Sequence, residues 1–241
     1  MRVSLFVSLV VFHEMARTKQ TQRGGTEKRP RRVFVHPFQK KKDVGTRTIK
    51  GFKVMKKIAT GAFGKVYKGK RIEDDQACAL KFVDLRDEET NEGALLEFEL
   101  ANLFGHAGIG PKVFGYWRIP SLDLALMVTE LWSITLEDFL QDRKIKKPSA
   151  TIMKILTKRV QEMHETGHVH LDIHAGNVFL RLNQTGDVED VCLADFGKAT
   201  HHKGIAQWQL DDASSFYKLK KSSDPKNLDW QMVEQIKKGK I

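Results

Sequence analysis

Cysteine is scarce in this sequence: Cys78 and Cys192 are the only two among 241 residues. Both lie in apolar, strand-like runs, so the sequence excludes a disulfide framework and a cysteine metal cluster, and it favours a reducing compartment. Long apolar runs are also lacking, because the run within residues 1–14 is too short to span a bilayer. No convincing signal-peptide cleavage site follows it. We therefore interpret residues 1–14 as an upstream extension, with Met15 as a second start, and expect no membrane partner.

Acidic residues are few in the first 57 residues, which contain 3 Asp and Glu against 16 Lys and Arg. The rest of the chain contains 27 Asp and Glu against 25 Lys and Arg, so the net charge of +11 arises from the N-terminal segment. Few large apolar residues and no periodicity predict that residues 15–51 are a disordered basic segment. The runs KRPRR at 28–32 and QKKK at 39–42 indicate nuclear import or contact with a DNA backbone. We expect a nuclear location, with a cytoplasmic one as the alternative.

From residue 52 the sequence alternates like a strand, and the glycine-rich turn GAFGKVYKG leads into a second strand. Glycines let a backbone approach phosphate groups closely, because they carry no Cβ. In this turn Ala59, Gly61, Gly64 and Val66 occupy the pattern G-x-G-x-x-G-x-V, with alanine at its first position. The turn by itself indicates either an ordinary hairpin or a phosphate-binding loop.

Lys81 is the single charge in the apolar strand QACALKFV. A buried ammonium needs a partner, and the helix predicted over residues 91–104 offers Glu97 and Glu99. The predicted apolar face of that helix comprises Leu96, Leu100, Leu103 and Phe104. Glu97 lies on or beside this face and Glu99 does not, so we expect Glu97 to pair with Lys81.

Two later stretches carry the remaining chemistry, HVHLDIHAGNVFL at 168–180 and LADFG at 193–197. Asp172 is placed to accept a hydroxyl proton, Asn177 to bind a metal ion, and Asp195 to link the metal to nucleotide phosphates. Further strands are predicted at 110–117 and 122–132. Further helices are predicted at 135–141, 149–165, 211–221 and 228–238.

Together these motifs resemble the eukaryotic-type protein kinase family over about residues 52–221. The resemblance implies an α+β, two-lobed fold with an N-lobe at 52–131, a reduced C-lobe at 132–241, and ATP with Mg²⁺ between them. It implies that Asp172 is the catalytic base, that Lys81 contacts the phosphates and that Glu97 holds Lys81. It implies that Asn177 and Asp195 bind the metal. The nucleotide-binding residues that it implies are Ala59, Gly61, Gly64, Val66, Ala79, Lys81, Thr129, Glu130 and Trp132.

The sequence departs from the family at several positions. Leu171 replaces the arginine that pairs with a phosphorylated activation loop, so we expect activity without that phosphorylation. His174 replaces a lysine, as in haspin, a histone-tail kinase, and we include it in the catalytic set. No A-P-E motif follows Asp195, and residues 211–219 resemble a haspin helix in which an aspartate braces the catalytic loop. The reduced C-lobe resembles that of compact kinases from large DNA viruses.

Residues 16–21 read ARTKQT, which matches the first six residues of histone H three. Initiation at Met15 and methionine removal would leave Ala16 as a free amino terminus, which histone-tail readers typically bind. The leading hypothesis is a monomeric serine/threonine kinase that acts on a histone or nucleosome and on its own Thr18. Two alternatives remain open: a non-catalytic histone-mimic module that binds reader proteins, and a small-molecule phosphotransferase.

Overall fold

The computed structural model describes residues 47–60, 64–86 and 88–240. The ARTKQT stretch at 16–21, both basic runs and Gly61 therefore lie outside the described residues. In the described part an antiparallel sheet comes first and most of the helices follow it, which confirms the predicted α+β class. The strands of this sheet are β1 (Arg47–Ile49), β2 (Phe52–Thr60), β3 (Gly64–Arg71), β4 (Ala77–Asp84), β5 (Val113–Ile119) and β6 (Leu124–Glu130).

The six strands lie in the order β1-β2-β3-β4-β6-β5. β4 is central and pairs with β3 on one side and β6 on the other. Its side chains are buried on both faces of the sheet, as shown by Cys78, Leu80, Phe82 and Val83. A near-continuous apolar run such as ACALKFVD is typical of a strand with this position.

The sheet begins earlier than the sequence predicts. β1 lies within the segment assigned to disorder and pairs with β2 through Arg47↔Val54 and Ile49↔Phe52. Lys50 and Gly51 connect the strands with φ values of 49° and 84°. Two successive positive φ values are typical of the tight turns that join hairpin strands. The boundary of the folded domain is therefore corrected from residue 52 to residue 47.

α1 (Glu88–His106) connects β4 to β5 and is longer than the predicted helix. Its buried side chains are Ala94, Glu97, Leu100, Ala101 and Phe104. The predicted apolar face was wrong in part, because Leu96 and Leu103 are 41% and 44% exposed. The small side chains of Ala94 and Ala101 allow the helix to approach the sheet, which rotates the buried face away from these two leucines.

The second half of the chain is mainly helical. Ser149 caps the helix Ala150–Glu165, where its hydroxyl accepts a hydrogen bond from Ile152 N at 3.3 Å. The helices are α2 (Leu136–Asp142), α3 (Ala150–Glu165), α4 (Gln207–Phe216) and α5 (Pro225–Lys237). The short strands are β7 (Ile134–Thr135), β8 (His168–Val169), β9 (Val178–Leu182), β10 (Val188–Leu193) and β11 (Thr200–His201).

α3 and α5 form the centre of this half and bury apolar side chains between them. α2, α3 and α5 lie close to their predicted positions, whereas α4 begins and ends earlier than predicted. Among the described residues, no helix is both long enough and apolar enough to cross a membrane.

Candidate active site

The loop between β8 and β9 is anchored by a buried carboxylate from α5. Asp229 is fully buried, and its two oxygens accept hydrogen bonds from the backbone N–H groups of His170 and Leu171, each at 2.8 Å. Leu171 has a φ of 59°, in the left-handed region. That conformation costs about 1–2 kcal/mol for a residue with a side chain. The charge-assisted hydrogen bonds of Asp229 offset this cost and fix the backbone conformation that leads into Asp172.

This anchor corrects the sequence interpretation of residues 211–219. Asp211 and Asp212 lie on α4, where Asp212 is exposed and Asp211 is partly exposed and contacts Gln207. The bracing aspartate is instead Asp229, which sequence reasoning missed. A detectable signal existed: Asp229 is an acidic residue within the apolar face of a helix formed by Leu228, Met232, Val233 and Ile236.

Asp172 has different hydrogen-bond partners on its two oxygens. Asn177 Nδ2 donates to Oδ2 at 3.2 Å and to the backbone carbonyl of Asp172 at 3.1 Å. Lys198 Nζ lies 2.9 Å from Oδ1, and the Tyr217 hydroxyl also donates to Oδ1. Burial raises the pKa of Asp172, but the hydrogen bonds from Tyr217 and Lys198 outweigh it and hold the pKa below its ordinary value. The carboxylate is therefore ionised at neutral pH, as a proton acceptor must be.

Lys198 and Tyr217 both contact Asp172, and sequence reasoning missed both of them. Lys198 directly follows the LADFG stretch, so its proximity to Asp195 in the sequence was an available signal. Tyr217 follows α4, 45 residues after Asp172, and no local pattern indicated that the two side chains meet.

His174 does not contact Asp172. Its Nδ1 accepts a hydrogen bond from Gly176 N at 3.2 Å and so caps the 3-10 turn Ala175–Asn177. Its ring also stacks on that of Tyr217, with centroids 6.3 Å apart. These contacts give His174 a role in the shape of the loop, and its assignment to the catalytic set stays a prediction.

Lys81 and Glu97 form an ion pair between β4 and α1, with Nζ and Oε1 2.5 Å apart. Glu99 is exposed, so the partner is the glutamate that the sequence indicated. Lys81 Nζ also lies 3.7 Å from Asp195 Oδ1. Burial lowers the pKa of Lys81, but the negative charges of Glu97 and Asp195 outweigh it and leave the pKa above its ordinary value. Lys81 therefore carries a fixed positive charge at the wall of the cavity described below.

The segment after β10 places Asp195 beside this ion pair. Asp195 has a φ of 60°, and the next side chain, Phe196, is 2% exposed. The Phe196 ring lies 4.8 Å from that of Phe104 on α1 and 5.3 Å from that of His170. Because Phe196 is buried beneath α1, the neighbouring Asp195 stays half-exposed and close to Lys81.

These groups border a cavity of about 330 Å³ between the sheet and the loops of the second half. The predicted nucleotide-binding residues that line it are Ala59, Gly64, Val66, Ala79, Lys81 and Thr129, and the predicted metal ligands Asn177 and Asp195 line it as well. Sequence reasoning missed several apolar lining residues, among them Ala101, Met127, Phe179 and Phe196. An apolar cleft with a few charged groups at one end suits a flat base attached to phosphates.

Glu130 and Trp132 are not among the residues that line this cavity. The Glu130 carboxylate forms an ion pair with Arg181 at 2.9 Å, and the Arg181 guanidinium lies 4.5 Å from the centre of the Trp132 ring. Both side chains are thus engaged with β9, and the assignment of Glu130 and Trp132 to nucleotide binding concerns their backbone groups. Contact with an adenine edge through the backbone of residues 129–132 stays a prediction.

Asn177 and Asp195 fit the metal ion that the family resemblance implies. Asn177 uses Nδ2 for its side-chain hydrogen bonds among the described residues, so its Oδ1 remains free to act as a ligand. An amide oxygen and a carboxylate are hard ligands that suit Mg²⁺. The described residues contain no cluster of three or more His, Cys, Asp or Glu side chains for a metal, so Mg²⁺ here would also depend on nucleotide phosphates.

Comparison with known proteins gives a match to the family described as protein kinase domain over residues 52–218. Serine/threonine-protein kinase dst2 of Dictyostelium discoideum is 30% identical over 167 residues, which cover 68% of this chain and 14% of that protein. Serine/threonine-protein kinase 10 of Homo sapiens is 26% identical over 172 residues, which cover 71% of this chain and 17% of that protein. Casein kinase I homolog 2 of Schizosaccharomyces pombe is 29% identical over 158 residues, which cover 63% of this chain and 35% of that protein.

This chain spans between about a seventh and a third of the length of these relatives. The similarity therefore concerns their shared domain. The family match includes the glycine-rich turn, the Lys81 strand, the loop of Asp172 and the segment of Asp195, and it extends over more than half of the chain. The chain belongs to the protein kinase domain family.

Proposed function

We propose that this chain is an ATP-dependent serine/threonine protein kinase. The observation that carries the proposal is that Lys81, Asn177 and Asp195 line one cavity, at the edge of which Asn177 is hydrogen-bonded to Asp172. Phosphoryl transfer needs a cation, metal ligands and a proton acceptor in this arrangement. The names of the relatives, which are serine/threonine kinases, support the class of acceptor.

In the proposed reaction Lys81 binds phosphate oxygens of ATP, and Glu97 keeps its ammonium group in place. Asn177 and Asp195 hold Mg²⁺, which neutralises negative charge on the phosphates when it is bound. Asp172 orients the acceptor hydroxyl and takes its proton as the oxygen bonds to the γ-phosphorus, while the bond from that phosphorus to the β,γ-bridging oxygen breaks and ADP leaves. Asn177 keeps the Asp172 carboxylate oriented through the 3.2 Å hydrogen bond to Oδ2.

A histone tail is the acceptor that we propose. Support comes from the sequence HLDIHAGN at 170–177, which resembles the catalytic loop of haspin, and from ARTKQT at 16–21, which matches the histone tail itself. The resemblance implies phosphorylation of the third residue of that tail, and the equivalent residue of this chain is Thr18. The basic N-terminal segment would add affinity for nucleosomal DNA through electrostatic attraction to its phosphates.

An assay with labelled ATP, Mg²⁺, histone octamer and a panel of small alcohols tests the activity. We expect label on histone with the native chain and at least a 100-fold lower rate with Asp195→Asn. Asp142→Asn is the matched control, because Asp142 is an exposed carboxylate at the end of α2 that does not line the cavity. Label on an alcohol alone would instead identify a small-molecule phosphotransferase. Absence of transfer together with binding to histone-tail readers would identify a binding module.

Mass spectrometry of the cellular protein tests the proposed histone mimic. An amino-terminal peptide that begins at Ala16, with phosphate on Thr18 after incubation with ATP, is the expected result. Thr21→Ala should retain this phosphate and Thr18→Ala should lose it. A peptide that begins at Met1 would contradict the free-end mimic, because Ala16 would then have no free amino group.

A further inference from the structure

Two basic stretches that are far apart in the sequence meet at one surface of the fold. One stretch follows α2 and the other lies at the end of α5. Their basic side chains are all exposed, and we call them the basic patch: Arg143, Lys144, Lys146, Lys147, Lys237, Lys238 and Lys240. The stretches 142–147 and 234–240 contain 7 Lys and Arg against 2 Asp and Glu, whereas the rest of residues 58–241 contains 18 against 25. The patch is therefore a positive region within an otherwise acidic part of the chain.

The contact between the two stretches is direct. Gly239 has a φ of 73° and packs against the loop that follows α2. A Cβ on this glycine would lie 2.2 Å from the backbone oxygen of Lys146 and 3.2 Å from Cγ of Lys147. Because a side chain would not fit between them, the end of α5 and the loop lie backbone against backbone. The fold thus combines two small groups of lysines into one surface.

Hydrogen bonds fix the backbone of both stretches. Ile145 N donates to Leu140 O at 2.9 Å, and Lys240 N donates to Gln235 O at 3.0 Å. Each bond closes the C-terminal end of its helix, and α2 ends with Lys144 in the left-handed region at a φ of 57°. The charged side chains therefore extend from two ordered helix ends.

Helix stability explains only part of this charge. A lysine in the last turn of a helix is stabilising, because the C-terminal pole of the helix dipole is negative, but the effect ends with that turn. Lys237 lies in the last turn of α5 and also pairs with Glu234 at 3.1 Å. Lys146 and Lys147 lie after α2 and shortly before α3, whose N-terminal pole is positive. Among the described residues these two lysines have no ion-pair partner, so their like charges lower stability.

The patch suits the phosphate groups of duplex DNA. Lysines that repel one another gain free energy when they bind a polyanion and release its counterions. Duplex DNA carries one negative charge per about 1.7 Å of its axis, whereas an extended acidic peptide carries at most one per about 3.3 Å. Carboxylates are best recognised by free arginine forks, but Arg143 already donates to Gly186 O at 2.5 Å. The other six members are lysines, which bind phosphate as point charges.

We propose that the basic patch is a DNA-contact surface of the kinase domain, distinct from the basic N-terminal segment. It binds the phosphate backbone and does not select a sequence, because phosphate contacts carry no sequence information. It would hold the domain on nucleosomal DNA, beside the histone acceptor proposed above. Since DNA binding requires neither ATP nor Mg²⁺, a test of the patch is independent of the proposed kinase function.

The test compares the native full chain with two full-length variants that remove the same charge. The patch variant carries the substitutions Lys146→Gln, Lys147→Gln and Lys240→Gln. The control variant alters three exposed lysines in other parts of the fold, by Lys68→Gln, Lys112→Gln and Lys203→Gln. Affinity for a short DNA duplex is measured by fluorescence anisotropy at several salt concentrations.

Each lysine that contacts a phosphate adds about 0.9 to the slope of log affinity against log salt concentration. We expect the patch variant to bind DNA at least about 10-fold more weakly, with a slope that is shallower by about 2–3. The control variant should stay within about 2-fold of the native affinity, because its lysines contact no phosphate. The melting temperature of the patch variant should equal or exceed that of the native chain.

Acetylation of the native chain provides a second measurement that needs no substitution. Bound DNA should protect Lys146, Lys147 and Lys240 from acetic anhydride, as detected by mass spectrometry. Lys68 and Lys203 should be acetylated equally with and without DNA.

Three outcomes would overturn the inference. Equal salt slopes of the two variants, without protection of the patch, would assign DNA binding to other parts of the chain. Weaker binding of a labelled polyglutamate peptide by the patch variant, with native DNA affinity, would identify the surface as a site for acidic proteins. A lower melting temperature of the patch variant, without protection in the native chain, would give these lysines a structural role. Each of these outcomes leaves the proposed kinase function intact, which the assay with labelled ATP decides separately.

Discussion

Asp229 accepts hydrogen bonds from His170 N, Leu171 N and the His164 ring, and it is fully buried. Replacement by alanine would leave these groups buried without an acceptor, which costs about 1–3 kcal/mol for each donor. We therefore expect Asp229→Ala to lower the free energy of unfolding by about 2–5 kcal/mol in urea titrations.

Asp212→Ala is the matched control, because Asp212 is an exposed aspartate on the neighbouring helix α4. Its free energy of unfolding should change by no more than about 0.5 kcal/mol. Equal effects of the two substitutions would show that the loop of Asp172 is braced in another way.

The ionisation of Asp172 depends on the two donors at Oδ1. Its pKa lies below the ordinary aspartate value of about 3.9, because Tyr217 and Lys198 stabilise the carboxylate more than burial destabilises it. A depressed pKa means that the group stays ionised as the pH falls towards that value. Lys198→Gln removes the positive charge, so we expect the pKa of Asp172 to rise.

Carbon-13 NMR of the labelled carboxyl group measures this shift directly. The control is Lys203→Gln, a substitution of an exposed lysine that is not a hydrogen-bond donor to Asp172. An unchanged midpoint in Lys198→Gln would show that the 2.9 Å contact contributes no electrostatic stabilisation.

At the scale of the elements, Gly64 leaves no room for a side chain between β3 and the backbone of β4. A Cβ on Gly64 would lie 2.1 Å from the backbone oxygen of Phe82, so an added methyl group forces the strands apart. We expect Gly64→Ala to lower the free energy of unfolding by about 1–3 kcal/mol. We also expect a higher KM for ATP, because Gly64 lines the cavity and β4 carries Lys81.

Gly93→Ala in α1 should have the opposite effect on stability. A Cβ at Gly93 meets no atom within 4 Å, and the position is exposed within a helix. This substitution should raise the free energy of unfolding by about 0.5–1 kcal/mol. Urea unfolding of both variants tests the comparison, and a Gly64→Ala protein as stable as the native chain would contradict it.

At the scale of the whole molecule, the basic charge is concentrated towards one end of the chain. The excess of basic residues lies in the first 57 residues, and the sheet begins at Arg47. We expect deletion of residues 1–46 to leave the melting temperature nearly unchanged. The same deletion should flatten the dependence of DNA affinity on salt concentration, since most of the basic charge is removed.

Deletion of residues 1–51 is the comparison, because it also removes β1 and its pairing with β2. Its melting temperature should be lower by several degrees, since a loss of 1 kcal/mol corresponds to about 2–4 °C in a domain of this size. Calorimetry and DNA titrations at several salt concentrations measure both effects. Equal melting temperatures of the two deletions would show that β1 contributes nothing to stability.

Local patterns in the sequence were enough to indicate the two-lobed α+β fold and the charged residues Lys81, Glu97 and Asp195 that border its cavity. The reason is that each of these features depends on a short segment. Three features can be interpreted without knowledge of distant residues. They are a lysine in an apolar strand, a glycine-rich turn, and the spacing of Asp172, Asn177 and Asp195. Glu97 was also identified locally, because only one of two glutamates lies on the buried side of α1.

The tertiary structure decided the contacts between distant segments. Asp229 reaches Leu171 across 58 residues, and Tyr217 reaches Asp172 across 45. Packing also turned the buried face of α1 from Leu96 and Leu103 towards Ala94 and Ala101, and it drew Glu130 to Arg181. The periodicity of a helix shows that it has an apolar side, but the fit of side chains against neighbouring elements fixes its orientation. A carboxylate buried by the fold likewise acquires its partners only when the elements that carry them pack together.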